Sequence, residues 1–265
     1  MLVKLTKYGL KDLYKILIIF YILAIFFASM TRIFFETANS LAGNIIANIL
    51  SGVTISMIVN ILINNILRMW ANFRRNLYGD ESYLTHTLPV TKSEIYLSKT
   101  LTMTISLFLD VLVIALSLFI AYGTHENLEM LKNLLFPFEE LLGGDFYLFI
   151  IAIFLILFLE LLNGAQCGFS GIILGHKMNG GKIGFSVLYG FIYYSASQVF
   201  VVVVTLIAGL FNKDVMKIFT ETEGYLPSFD TLKLVIILAL ISYALAVAIT
   251  YFVNLKIFKK GVNVD

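Results

Sequence analysis

Arg68–Lys99, RMWANFRRNLYGDESYLTHTLPVTKSEIYLSK, is the longest polar passage between two apolar runs of this chain. Its pattern is helix, break, helix. Gly79 and Asp80 interrupt the helix arriving from the apolar run before them. Asp80 or Ser82 is placed to cap a short helix holding Tyr83, Leu84 and Leu88. Pro89 ends that helix, because the residue before a proline is pushed out of helical geometry. Thr91 and Glu94 then form a T-x-x-E capping box for a new helix, which carries Ile95, Leu97 and Lys99 into the next apolar run. The passage reads as an elbow, a short capped helix held between the ends of two long ones.

What the elbow joins follows from composition. Of the 265 residues, 59% are hydrophobic and 14% charged, and mean hydropathy is +0.90. A soluble domain carries about a quarter charged residues. Several runs exceed the 18 mostly apolar residues needed to cross a hydrocarbon core about 30 Å thick. The expected fold is therefore all-α, a polytopic membrane protein with six spans at roughly 15–35, 42–67, 100–122, 146–175, 184–211 and 232–255. Two domains are expected: an amphipathic interfacial helix over 1–14, and the six-helix membrane domain over 15–265, with the elbow at 68–99. In the first, Lys4, Lys7, Lys11 and Lys15 recur at helical spacing, with Leu2, Leu5, Leu10 and Leu13 on the other side. No cleavable signal is expected, since the first apolar run is too long and lacks a small-residue cleavage site.

Basic residues orient the spans. With both termini inside, the inner segments hold the four N-terminal lysines, Arg68, Arg74, Arg75, Lys92, Lys99, Lys177, Lys182, Lys256, Lys259 and Lys260. The outer side keeps only Arg32, Lys132, Lys213, Lys217 and Lys233, and its second loop carries Glu126, Glu129, Glu139, Glu140 and Asp145. The expected topology is N-in, C-in, which places the elbow in the cytoplasm.

Polar residues inside the spans are the candidate functional groups. In the second span Asn44, Asn48 and Ser51 form one stripe, and Ser56, Asn60 and Asn64 another. Amides are costly against lipid, so these either join helices or line a wet translocation path. Asp110 and Glu160 sit near mid-depth in the third and fourth spans. A carboxylate there costs roughly 2.5–3.5 kcal/mol to insert, so each must be protonated, paired or wet. Either they bond neighbouring helices or they form a proton-coupled translocation site. Gly164, Gly168, Gly171 and Gly175 cover one side of a helix, within a sector of about 60°, and admit a close neighbour from this chain or from a second copy.

Other chemistries find little support. Gly175–Gly184, GHKMNGGKIG, resembles a phosphate loop only superficially: His176 and Ile183 stand where the motif needs Gly and Ser or Thr. The single cysteine, Cys167, offers no disulfide and no metal framework. Glu139 and Glu140 are paired, but His86, His125 and His176 lie in different loops and do not converge with them. No enzyme activity, bound cofactor or metal is expected in the chain, and nothing points to nucleic acid.

The glycine-acidic turn followed by YLTHTLPVTKSEIYLSK is similar to the loop between the second and third spans of permeases in the type 2 ABC exporter family. That family's loop has an acidic or glycine turn, a short hydrophobic helix, a Pro-Val step, Ser or Thr with a basic residue, and a Leu-rich entry to the next span. The resemblance implies that the short helix inserts into a cleft of a separately encoded ATP-binding cassette subunit, which binds ATP and Mg. Carried over, coupling falls on Glu81, Ser82, Tyr83, Leu84, Thr85, His86, Thr87 and Leu88, with Pro89, Thr91 and Lys92 fixing the turn. It also implies a second permease copy, identical or not, and a bacterial plasma membrane. Unlike some relatives, this chain has short outer loops, which argues against a binding-protein-dependent system; a small permease with many phenylalanines most resembles exporters of amphipathic substrates such as antimicrobial or toxic peptides. The competing reading is a proton-coupled secondary transporter working through Asp110 and Glu160.

Overall fold

A computed structural model describes residues 1–38, 40–139, 146–220 and 228–261. Among them there are helices and turns but no strands. In chain order the helices are α1 (Leu2–Thr37), α2 (Leu41–Leu77), α3 (Ser82–His86), α4 (Lys92–Tyr122), α5 (His125–Glu139), α6 (Phe146–Gly175), α7 (Lys182–Phe211), α8 (Lys213–Thr220) and α9 (Phe229–Lys259). Six of them, α1, α2, α4, α6, α7 and α9, are long and apolar enough to cross a membrane. Glu140 and Asp145, noted in the second outer loop, lie outside the described residues.

The chain divides into two compact units, Met1–Met130 and Leu131–Asp265. In the first, α1 packs against both α2 and α4, α2 also touches α4, and α3 sits on the end of α2. The seam uses small and β-branched residues. Ala24 and Ala28 are fully buried, Thr31 and Thr54 share a hydrogen bond of 2.9 Å, and a Cβ at Gly9 would lie 2.9 Å from the Thr102 hydroxyl. Small groups let the backbones approach, which is how helices associate where lipid removes the hydrophobic drive. Leu13, Leu17, Ile61, Met103 and Leu107 fill the remaining space.

Residues 1–14 are not a separate helix. They are the first turns of α1, whose 36 residues run about 54 Å. Nothing in the sequence breaks the chain at the membrane surface, and Gly9, the one weak point, is pinned against α4 by Thr102. The lysines stay exposed along this extension.

In the second unit α6 packs against α7 and α9, α7 touches α9, and α8 lies on both α7 and α9. The four glycines of α6 serve this unit. A Cβ on Gly171 would lie 2.6 Å from the Gly190 nitrogen, and one on Gly175 would lie 2.5 Å from the Ser186 nitrogen. Gly164 faces Tyr194, and Gly168 faces Gly190. The partner left open by the sequence is α7 of the same chain.

Candidate functional site: the elbow between α2 and α4

The elbow is built as its local sequence directs. α2 ends at Leu77, and the N–H groups of Tyr78 and Gly79 both turn back to the Arg74 carbonyl. Leu77 and Tyr78 are buried, with Tyr78 and Tyr96 both against the ring of Phe73. The Ser82 N–H then donates to the Gly79 carbonyl at 2.9 Å, starting α3. At the far side the capping box is complete: the Glu94 N–H donates to Thr91 Oγ1 at 3.2 Å, and the Thr91 N–H donates to Glu94 Oε2 at 2.9 Å.

Two details of the expected elbow are corrected. The cap position of α3 is Glu81, with no side-chain cap, rather than Asp80 or Ser82. Ser82 is inside the helix and buried, so its hydroxyl is committed to the packed side. The helix also stops at His86, before Leu88. Thr87 bonds back to Tyr83 and Leu84, and the Val90 N–H closes a tight turn on the Leu88 carbonyl, so Pro89 sits in a turn already formed.

The eleven residues assigned to coupling fall on two sides. Tyr83 and Leu84 are 76% and 68% exposed, and Thr87, Leu88, Pro89, Thr91 and Lys92 are exposed with them. Glu81, Ser82, Thr85 and His86 face the body of the unit. Thr85 bonds the Glu81 carbonyl, and His86 Nε2 lies 3.1 Å from the Leu77 carbonyl. The tip is apolar and open; the base is hydrogen-bonded.

Beneath the base is a polar clasp that the sequence reading missed. Arg75 Nε meets Glu81 Oε1 at 3.0 Å, and its Nη2 meets Asp12 Oδ2 at 3.3 Å. Asn72 donates to the same Asp12 oxygen at 2.9 Å. Asn76 donates to the other Glu81 oxygen and accepts from the Lys99 ammonium. Asp12, Arg75, Glu81 and Lys99 thus neutralise one another across α1, α2, the turn and α4. The ion pairs are about half exposed, so each adds at most about 1 kcal/mol, and their value lies in fixing geometry. The available signals were Asp12, the lone acid in a lysine-rich segment, and Asn72 and Asn76, one helical turn apart beside Arg75.

The intramembrane candidates separate as well. Asp110 is fully buried; the Tyr21 hydroxyl donates to it at 2.6 Å, and Asn65 donates to its other oxygen. Glu160 accepts from Tyr194 at 2.6 Å and from Gln198 at 2.9 Å, and Tyr243 donates to Gln198 at 3.1 Å. Each carboxyl is held by a tyrosine and an amide from neighbouring helices of its own unit. Asn48 is exposed, and Asn60 and Asn64 donate to carbonyls four residues back on α2, at 2.9 Å each. Beside Asn72 and Asn76 of the clasp, the asparagine of α2 that bonds another helix is Asn65, which sequence periodicity alone did not single out.

Among the described residues no group of three or more His, Cys, Asp or Glu side chains is placed to hold a metal ion. Comparison with known proteins gives no further identification: no protein-family profile, no curated protein and no solved structure matches this chain.

Proposed function

We propose that the chain is the transmembrane permease subunit of an ATP-driven exporter, and that a separate cytoplasmic ATPase docks on its elbow. The division of the elbow into an open apolar tip, Tyr83, Leu84 and Leu88, and a base clasped to three long helices carries this reading. Exposed aromatic and aliphatic anchors on a rigid mount are what a partner's cleft requires. A push on the tip reaches α1, α2 and α4 together. The basic residues at the elbow and at both termini favour the cytoplasmic side for all three. The ATPase partner, the second permease copy and an amphipathic peptide as cargo rest on the family resemblance of the loop. The glycines of α6 lend the second copy no support, since α7 occupies them.

The alternative, proton coupling through Asp110 and Glu160, gains less from the geometry, because both carboxyls are engaged by tyrosine and amide donors suited to packing.

The test is affinity capture of the tagged chain from its native membrane, read by mass spectrometry, beside a Leu84→Glu variant. A co-purifying ATPase that is lost with Leu84→Glu supports the proposal. Absence of any ATPase, or one retained at full yield by Leu84→Glu, overturns it.

A further inference from the structure

We infer that α5 is an interfacial helix whose occupant is the lipid bilayer itself, its apolar face seated among the acyl chains at the membrane boundary reached by the end of α4. Among the described residues α5 has at most slight contact with any other helix. Its ten side chains from His125 to Leu134 are all exposed, including Leu128 at 45%, Met130 at 63% and Leu134 at 62%. Those residues are not scattered. At about 100° per residue, Leu128, Met130, Leu131 and Leu134 fill a sector of about 160°, and His125, Glu126, Glu129, Lys132 and Asn133 fill the opposite one.

Three observations choose lipid over another protein surface. The fifteen residues of α5 extend only about 22 Å, too short for a core of about 30 Å, and its charges forbid a buried crossing. It starts three residues after Tyr122, the last residue of a membrane-spanning helix, so it is tethered at the level where hydrocarbon gives way to headgroups. That tether is tight. Asn127 Nδ2 donates to the Tyr122 carbonyl at 3.0 Å, its N–H donates to Thr124 Oγ1 at 3.0 Å, and a Cβ at Gly123 would press to 3.0 Å on the Phe119 ring. Asn127, the one polar residue within the apolar sector, is thereby turned back to cap α4. The polar face of the described residues carries Glu126 and Glu129 against Lys132, so seating depends on apolar burial and not on anionic headgroups.

The test is spin labelling of the full chain in neutral phosphatidylcholine vesicles, one site at a time, at Leu128→Cys, Leu131→Cys and Leu134→Cys and at Glu126→Cys, Glu129→Cys and Asn133→Cys. The unsubstituted chain, whose Cys167 is 1% exposed, supplies the labelling background. The inference expects the leucine positions to collide several-fold more with oxygen than with a water-soluble nickel chelate, and the polar positions to show the reverse. Equal nickel access at all six sites would place the helix in water and overturn it. Shielding of the leucine positions from both reagents would mean a protein cover, such as a second copy, and would also overturn it. So would a pattern that appears only when anionic lipid is added.

Discussion

Asn76 holds the Glu81 carboxylate with its amide nitrogen and the Lys99 ammonium with its amide oxygen, so one side chain of α2 joins the turn before α3 to the start of α4. Asparagine suits this place because it presents a donor and an acceptor from one plane. Asn76→Ala is expected to cut both links while leaving the apolar contacts of Leu77, Tyr78 and Tyr96 in place. Amide hydrogen exchange across 78–90 should then speed up several-fold, with the rest of the first unit unchanged. Unaltered exchange in that segment would show that the clasp does not hold the elbow.

The two sides of the elbow predict different losses. Arg75→Gln removes two half-exposed ion pairs, each worth at most about 1 kcal/mol, so the melting temperature should barely move. If the elbow transmits force, transport should nevertheless fall while partner capture persists. Leu84→Glu should do the opposite, abolishing capture with the same stability. Indistinguishable variants would mean that tip and base have no separate duties.

Thr91→Ala removes one half of a capping box. It is expected to cost about 1 kcal/mol, read as a lower thermal midpoint and fraying of the first turn of α4. Thr91→Ser should restore most of the loss, since the Glu94 N–H needs only a hydroxyl acceptor.

Gly171→Val places branched carbon into the α6–α7 crossing, where even a Cβ meets backbone of Gly190 at 2.6 Å. Overpacking of this kind costs about 1–3 kcal/mol or more, and here the opposing atoms are backbone that cannot turn aside. Gly52→Ala is the control, because nothing lies within 4 Å of its Cβ; it should be neutral or stabilising by up to about 1 kcal/mol. Thermal unfolding in detergent compares the two.

Asp110→Asn separates packing from proton coupling. A neutral amide keeps the shape and still accepts from Tyr21, so a packing role predicts near-normal function and a loss of about 1–3 kcal/mol at most. Abolished transport in a protein of unchanged melting temperature would favour the proton-coupled reading.

Much of this architecture was legible in the sequence because hydrocarbon length and turn chemistry are local signals. The six spans follow from apolar runs, the end of α2 from Gly79 and Asp80, and the start of α4 from Thr91 and Glu94. The clasp was not legible, because Asp12 and Arg75 are 63 positions apart and meet only once α1 lies on α2. Asn65 escaped for a related reason: Asn60, Asn64 and Asn65 are equally polar, and only packing decides which faces Asp110. The glycines of α6 announced a close neighbour, and the fold supplied its identity in α7.

α2 is one unbroken rod from Leu41 to Leu77, and it is gripped part-way along by the bond between Asn65 and Asp110. Twelve residues separate that grip from the elbow and twenty-four separate it from the opposite end, arms of about 18 Å and 36 Å. Thr54, eleven residues along the longer arm, bonds Thr31 of α1, and Asn72, seven residues along the shorter one, bonds Asp12 of α1. The rod is therefore held to its neighbours at three depths, so a displacement of the elbow is shared with α1 and α4 and not turned about a single point.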